Sequence, residues 1–285
     1  MSEHKIPEEA LRQLCAGVDG DCGLYVSVPG EGLKFSINED KIFTAASTIK
    51  IPVIARLFQD AAEGRVDLSE KMVVKPDNRA PGSGILLSME PDIELSIFDL
   101  ASLMIVMSDN TATNEIIDVV GMDRVRQFCT DHDFANTWIW KKIFYKGELP
   151  PPQVPEGMPH TATTAGDLGR MLEQLADGTL LDEASCRKII QIMANQRVAR
   201  LKTLLPTAYR PDPRKEALER PREGQVVVAS KGGTLTDPPT AHDAGIFYLP
   251  DGRYYIVTIC TRSSSLKEAT KIINEVGLVM YEAMK

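Results

Sequence analysis

The sequence predicts an α+β fold in which one antiparallel sheet, built from both ends of the chain and flanked by helices, carries an inserted all-helical domain. Two observations support this prediction. Alternating segments rich in β-forming residues occur near both termini, and apolar residues at helical spacing fill the region between them. We therefore expect a discontinuous α/β domain of residues 1–45 plus 199–285 and a helical domain of residues 46–198. The cleft between the two domains is the expected active site.

The first part of the chain predicts a short helix, a β-hairpin and a longer helix. Residues 7–15 have amphipathic helical spacing. Residues 22–28 and 33–37 are strand-like and are joined by a Pro-Gly turn, which is typical of a hairpin. Apolar residues three and four positions apart then predict a helix from Ser47 to Ala62. Pro52 is tolerated there because it lies near the first turn.

In the middle of the chain, the apolar residues recur at helical spacing. Ser96 and Asp99 form a capping pair that is expected to begin a helix. Residues 137–160 contain two Trp and five Pro and predict a long ordered loop, and loops of that length are usually functional. The helices expected in this region cover residues 97–107, 113–119, 164–174 and 182–195.

The last part of the chain predicts three strands and a final helix. Residues 206–224, rich in Pro and charge, predict a surface excursion before them. A Pro-Asp-Gly turn at 250–252 is typical of a hairpin. The stripe of apolar residues from Leu266 to Met284 predicts an amphipathic helix. The expected strands cover residues 225–229, 244–249 and 254–261.

Composition and charge exclude several classes of function. The formal net charge of −8 argues against a nucleic-acid partner, because no basic face is available to replace counterions. No apolar run is long enough to span a membrane. The four His and five Cys lack the spacing of a metal site or a disulfide scaffold, so we expect reduced, buried thiols. Since no phosphate-binding loop or dinucleotide motif occurs either, the sequence predicts no metal and no cofactor.

The N-terminal residues are polar and charged and do not resemble a signal peptide. Two interpretations stay open: the protein remains in the cytoplasm, or a leader preceded residue 1 and was removed. We expect a monomer that binds a small molecule and has no nucleic-acid or membrane partner.

The first motif with chemical meaning is Ser47-x-x-Lys50, at the start of a predicted helix. The spacing places both side chains on one helix face. A serine hydroxyl is a poor nucleophile until a base takes its proton, and a buried lysine with a lowered pKa can act as that base. The helix N-terminus adds N–H groups that stabilise negative charge. Alone, the motif also fits an ordinary capped helix with a surface lysine.

The second motif, Ser108-Asp109-Asn110, follows a predicted helix. It is either a plain turn between helices or part of a catalytic site. In the catalytic interpretation, Ser108 relays a proton and the amide of Asn110 holds the substrate.

The third motif, Lys231-Gly232-Gly233-Thr234, directly follows a predicted strand. It is either a β-turn that contains a lysine or an edge strand beside the active site. In the second case Lys231 attracts a substrate carboxylate, and the N–H of Thr234 contributes to an oxyanion hole.

All three motifs occur in one chain, in the order that this chemistry needs. Their combination is typical of class A β-lactamases and penicillin-binding proteins. The chain resembles class A β-lactamases and related serine hydrolases over nearly its full length. The segments that carry the resemblance are 43–50, 108–112, 197–199, 204–206, 231–234 and 243–246.

The resemblance implies a β-lactamase/transpeptidase-like α/β sandwich and a serine hydrolase that opens β-lactam rings. Ser47 would attack the lactam carbonyl and form an acyl-enzyme that water hydrolyses, while Lys50 and Ser108 move protons. The N–H groups of Ser47 and Thr234 would form the oxyanion hole. Family members are usually exported, and they need no cofactor. The implied substrate-binding residues are Asn110, Lys231, Gly233 and Thr234.

Three features depart from the family pattern. Gly232 stands where the family usually has Thr or Ser, whose hydroxyl helps to bind the substrate carboxylate. The excursion at 206–224 is longer than usual. The family's deacylating carboxylate lies in a long loop, where Glu148 is our candidate, although the asparagine expected four residues later is absent. Glu156 is the second candidate for that base.

These departures leave three functions open. The first is an enzyme that hydrolyses β-lactams. The second is an enzyme of the same scaffold that acts on another ester, amide or peptide. The third is a penicillin-binding or sensor domain in which Ser47 is acylated but not released.

Overall fold

The strands of the computed structural model come from both ends of the chain and from short segments between them. The structure describes residues 5–144, 157–205, 208–212, 215 and 218–285. Within these residues the strands are β1 (Gly20–Val28), β2 (Leu33–Ile37), β3 (Phe43–Thr44), β4 (Lys71–Val73), β5 (Glu94–Ser96), β6 (Trp138–Ile139), β7 (Thr161–Thr163), β8 (Ala208–Tyr209), β9 (Val226–Thr236), β10 (Pro239–Tyr248) and β11 (Tyr254–Ser263).

Six of these strands form the main sheet, in the order β2-β1-β11-β10-β9-β8. The first strand of the chain pairs with the last, with Leu24 opposite Ile259. Every pair in this sheet is antiparallel except β8 with β9, which is parallel. A smaller sheet of β3, β7 and β6 lies next to the nucleophile segment. The strands β4 and β5 form a separate pair.

Helices cover both faces of the main sheet. In the described part of the chain they are α1 (Glu8–Ala16), α2 (Lys50–Ala62), α3 (Ile97–Val106), α4 (Asn110–Val120), α5 (Met122–Asp131), α6 (Ala165–Ala176), α7 (Glu183–Ala194) and α8 (Leu266–Met284). None of them is long and apolar enough to cross a membrane.

The apolar core consists of two clusters, one on each face of the main sheet, because side chains alternate between the faces along each strand. On β11, Val257 packs in a cluster with residues of α1 and α8, whereas its neighbour Ile256 packs with residues of α2 to α7. Successive strand residues point to opposite faces, so one sheet supplies both clusters. All five cysteines are free and buried within these layers, as we expected.

The structure confirms the predicted α+β fold with a sheet built from both termini. The cap of α3 is also as predicted, because Ser96 Oγ accepts the Asp99 N–H at 3.0 Å. The domain boundaries stay a prediction. One helix of the segment 46–198, α6, packs on the main sheet, where Thr258 Oγ1 donates to the Ala165 carbonyl at 2.6 Å.

Several elements differ in detail from the prediction, among them the strand expected from Ala244, which begins at Pro239. The strand expected to end at Ala229 continues to Thr236 and includes the whole third motif. The helix expected from Thr113 begins at Asn110, because Asp109 Oδ1 caps it by accepting the Ala112 N–H at 2.9 Å. Helix α5 was not predicted. The excursion 206–224 supplies β8 at the edge of the sheet, although only part of it is described.

Candidate active site

Ser47 lies in a single 3-10 turn, Ala46–Ile49, between β3 and α2. The preceding residue, Ala46, has a positive φ of 48°, a conformation that costs free energy for a residue with a Cβ and is often found at functional sites. Ser47 is half-buried and lines a cavity of about 560 Å³. The strained turn thus presents the hydroxyl-bearing residue to an open cavity at the helix N-terminus.

Lys50 begins α2 and is completely buried. Its Nζ lies 2.8 Å from the Ser108 carbonyl oxygen, 3.1 Å from Ser108 Oγ and 3.0 Å from Asn110 Oδ1. Burial lowers the pKa of Lys50 well below its usual range, the charge of Lys231 lowers it further, and Asp109 opposes the shift. The neutral amine, which can accept a proton, is therefore favoured at this position.

Ser108 ends the turn after α3, with a positive φ of 54°. Its Oγ lies 3.1 Å from the Nζ of Lys50 and 3.1 Å from the Nζ of Lys231. A hydroxyl oxygen has two acceptor lone pairs, and both are used once Lys50 is protonated and both lysines donate to this oxygen. The Ser108 O–H is thereby left to donate to a third group. This arrangement suits the predicted proton relay.

Lys231 is completely buried on β9. Its Nζ donates to the Gly232 carbonyl at 2.6 Å as well as to Ser108 Oγ. Burial lowers the pKa of Lys231 to about 7, the charge of Asp243 opposes the shift, and Arg200 adds to it. The third motif is therefore a strand that brings a lysine to the second motif, and the β-turn interpretation is wrong.

Asn110 begins α4 beside the cavity. Its Oδ1 accepts from Lys50, and its Nδ2 donates to the Pro81 carbonyl at 2.7 Å. One of the two amide N–H groups is thus used within the protein, and the other can meet a substrate.

Gly233 allows β9 to pass very close to the nucleophile turn. A Cβ at this position would lie 2.8 Å from Ser47 N and 3.0 Å from the Cβ of Ala46. Real Cβ atoms do not approach other atoms so closely, so only glycine fits. Thr234, the next residue, lines the same cavity as Ser47. The two residues expected to supply the oxyanion hole therefore lie at one site.

Arg200 is a site residue that the sequence did not reveal. Its guanidinium donates to Thr234 Oγ1. Its other terminal nitrogen, Nη1, is buried and has no hydrogen-bond partner among the described residues, and a Cβ on Gly232 would lie 3.1 Å from it. Because Gly232 has no side chain, there is room for this half-buried guanidinium. The only sequence signal was its position next to the family-like segment 197–199.

Asp243 and His242 support these elements from β10. Asp243 Oδ2 accepts the N–H groups of Arg200 and Leu201, at 2.5 and 2.9 Å. His242 Nε2 lies 2.8 Å from the Thr44 carbonyl, on the strand that leads to Ser47, and Nδ1 accepts the Thr261 N–H at 3.1 Å. Burial lowers the pKa of His242 to about 4. His242 is thus a buried support for the nucleophile segment.

The described lining of the cavity contains no carboxylate. One part of the cavity wall comes from a segment outside the three motifs. It consists of two lysines and two apolar residues at 141–144, together with His160. Both candidates for the deacylating base, Glu148 and Glu156, lie outside the described residues. No group of His, Cys, Asp and Glu that could hold a metal ion occurs in the described part of the chain.

Comparisons with known proteins agree with this architecture. The model of a family described as "Beta-lactamase enzyme family" matches residues 6–284. A β-lactamase from Rhodobacter capsulatus is 29% identical over 127 residues, and the match spans 43% of this chain and 43% of that protein's length.

Two solved structures are similar over almost the whole chain. One is a β-lactamase from Sphaerobacter thermophilus, with a TM-score of 0.81, 27% identity and 98% of each chain covered. The other is a mutant of PBP-A solved as an acyl-enzyme complex with penicillin G. It has a TM-score of 0.77 and 26% identity, with 100% of this chain and 99% of that chain covered.

Proposed function

Because the chain belongs to the beta-lactamase enzyme family, we propose that it is a serine hydrolase that opens β-lactam rings through an acyl-enzyme on Ser47. The observation that carries the proposal is the contact of Lys50 and Lys231 with the Ser108 hydroxyl, next to the cavity lined by Ser47. In this proposal Lys50 is the base, Ser108 is the proton relay and Lys231 is the cation beside the nucleophile Ser47.

Acylation begins when the Ser47 oxygen attacks the lactam carbonyl and its proton passes to the neutral amine of Lys50. The negative charge that develops on the carbonyl oxygen is stabilised by the N–H groups of Ser47 and Thr234. The ring C–N bond then breaks, and the nitrogen takes the proton from Lys50 by way of the Ser108 hydroxyl. The product of this half-reaction is an ester of Ser47.

The substrate would be oriented by attraction between its carboxylate and positively charged side chains of the site. Most β-lactams carry a carboxylate, and Lys231, Arg200 and the Thr234 hydroxyl form a group of donors for it. Arg200 would replace the hydroxyl that Gly232 lacks, because its Nη1 is buried and has no partner in the part of the chain that the structure describes. A buried donor without an acceptor is unfavourable, so an anion that approaches it gains free energy.

A second candidate is a penicillin-binding protein that is acylated and releases the product slowly. It is favoured by the absence of a carboxylate from the described lining of the cavity, since deacylation needs a base within reach of the attacking water. The similarity to PBP-A, a mutant of which was solved as a penicillin G acyl-enzyme, points the same way. The third candidate, an enzyme for a different ester, amide or peptide, is favoured by the Gly232–Arg200 arrangement.

Mass spectrometry of the intact protein, mixed with a chromogenic cephalosporin while colour is recorded, separates these candidates. We expect colour that continues to increase and no lasting adduct. A persistent adduct on Ser47 would support the penicillin-binding candidate. If neither colour nor an adduct formed, the β-lactam proposal would be wrong and a different acyl substrate would be favoured. The Ser47→Ala variant is the control, and it should form no adduct with any substrate.

A further inference from the structure

A second cavity, separate from the one that contains Ser47, is lined by basic side chains. It has a volume of about 600 Å³ and lies between the segment that follows α7, the edge strand β8 and the start of β9. Ligand sites typically have volumes of 300–1,000 Å³, so the cavity is large enough for a small molecule. None of the described residues that line it is acidic. The polar residues that line it are Arg197, Lys202, Thr203, Arg210 and Gln225.

Two of the three cations that line this cavity have no carboxylate partner among the described residues. Neither Arg197 nor Arg210 has a carboxylate within ion-pair distance in the part of the chain that the structure describes. Both are exposed towards the cavity, and Lys202 is half-buried. Lys202 donates to the Gln196 carbonyl at 2.9 Å, which holds its ammonium group in place and leaves two of its three donors for other groups.

The neighbouring cations contribute to the lowered pKa of Lys202. Burial lowers its pKa to about 8, Asp243 opposes the shift, and the charges of Arg210 and Arg197 lower it further. A protein with a net charge of −8 thus concentrates three positive charges around one cavity. Like charges so arranged destabilise each other unless an anion binds between them.

We propose that this cavity is a binding site for a phosphate-bearing small molecule. A phosphate group carries a charge of about −1.5 to −2 at neutral pH and has three strong acceptor oxygens, which match three cationic donors. Two guanidinium groups suit it especially well, because each can donate two parallel hydrogen bonds. The hydroxyl of Thr203 and the amide of Gln225 add neutral donors at the same wall.

The site is distinct from the catalytic one but shares a segment with it. Arg197 and Lys202 line the basic cavity, whereas Arg200 between them donates to Thr234 beside Ser47. The binding proposal does not depend on acylation chemistry. The Ser47→Ala variant should therefore bind the phosphate compound as the unmodified protein does, so the two proposals can fail independently.

Isothermal titration calorimetry of the full chain with pyrophosphate, at constant ionic strength, tests the site. We expect saturable binding of one pyrophosphate per chain. Arg197→Gln and Arg210→Gln should each raise the dissociation constant about tenfold, because each removes a charge-assisted hydrogen bond. Both side chains are exposed, so the variants should fold, and unchanged thermal unfolding without ligand would verify this.

The matched control is Lys271→Gln, which removes an exposed cation on α8 that does not line the basic cavity. It should leave the dissociation constant unchanged. Absence of saturable binding, or equal weakening in Lys271→Gln and Arg210→Gln, would overturn the proposal. Citrate that bound as tightly as pyrophosphate would overturn the assignment of the ligand to phosphate.

Discussion

The ammonium nitrogens of Lys50 and Lys231 share one acceptor, the Ser108 hydroxyl oxygen, which each reaches at 3.1 Å. Two fully buried cations so close to one atom repel each other, and burial disfavours the charge on both. The pair is therefore stable with fewer than two positive charges. In the proposed mechanism the two lysines have different tasks: Lys50, whose pKa is lowered further below its usual value, would be the neutral base, and Lys231, with a pKa of about 7, would carry the charge that attracts the carboxylate.

The rate of acylation by a β-lactam that carries a carboxylate should have a bell-shaped pH dependence. Towards acid, Lys50 gains a proton and can no longer accept the one from Ser47. Above about pH 7, Lys231 loses its proton and with it the charge that attracts the carboxylate. Stopped-flow measurement of acylation as a function of pH would record both limbs.

A neutral ester substrate is the matched control for this prediction. Its acylation needs the base but no carboxylate contact, so the acid limb should remain and the fall above about pH 7 should disappear. The same alkaline fall with both substrates would show that Lys231 does not act through the carboxylate.

Gly233→Ala should lower the rate of acylation about 100-fold, the cost of disturbing an oxyanion hole. The added Cβ would lie 2.8 Å from Ser47 N, so β9 must move away from the nucleophile turn. Steady-state kinetics with a β-lactam would measure the loss. Gly30→Ala is the control, because a Cβ there has no neighbour within 4 Å. Full activity in Gly233→Ala would remove this strand from the oxyanion hole.

The three motifs could be recognised from the sequence because the residues of each motif lie within four positions of one another. Ser47 and Lys50 are one helical turn apart, and Asp109 caps the helix that begins with Asn110. Their convergence followed from the resemblance, and the geometry agrees with it. The end of β9 was missed because two successive glycines usually interrupt a strand. Here the two glycines let β9 pass close to its neighbours, because Gly233 lies against the backbone of Ser47 and Gly232 lies against Arg200.

The contact between Arg200 and Thr234 could not be predicted from residue spacing. Arg200 lies about thirty positions before the third motif, and only the packing of its segment on β9 brings it to Thr234. That packing depends on Asp243, which accepts the backbone N–H groups of Arg200 and Leu201. A contact between two long-range segments leaves no periodic pattern in the sequence, so it became visible only in the fold.

Arg200→Gln should raise the KM for a carboxylate-bearing substrate about tenfold and leave kcat nearly unchanged. The guanidinium is expected to bind the substrate equally in the ground and transition states, and a loss of such binding appears in KM. A substrate without a carboxylate is the control and should keep its KM. A fall in kcat with both substrates would mean that Arg200 supports the catalytic residues instead.

Gly232→Ser, which adds the hydroxyl usual in the family, should weaken carboxylate binding in this protein. The new Cβ would lie 3.1 Å from both Arg200 Nη1 and the Val198 carbonyl, so the guanidinium has to shift by a few tenths of an ångström away from its present position beside Thr234. We expect KM to rise. A lower KM, measured with the same carboxylate-bearing substrate, would show that the hydroxyl and Arg200 can act together.

Glu148→Ala should trap the acyl-enzyme if this residue, which lies outside the described part of the chain, supplies the base for deacylation. Acylation would still proceed, because Lys50 and Ser108 are unchanged, but water would attack the ester without assistance. Intact-protein mass spectrometry during turnover would detect the accumulated adduct. Glu156→Ala is the matched variant in the same segment and should turn over normally. The reverse result would assign the base to Glu156.

His242 should make the protein less stable in mild acid. Its pKa in the folded state, about 4, lies below the value of about 6.5 for an unfolded histidine, so the unfolded state binds more protons between these values. Stability from this group is complete above pH 6.5 and is lost as the pH falls towards 4. The expected loss is about 3 kcal/mol in the free energy of unfolding. Urea unfolding at several pH values would measure it, with His242→Gln showing a shallower slope and the exposed His160→Gln keeping the original one. Equal slopes in His242→Gln and the unmodified protein would mean that protonation of His242 does not oppose folding.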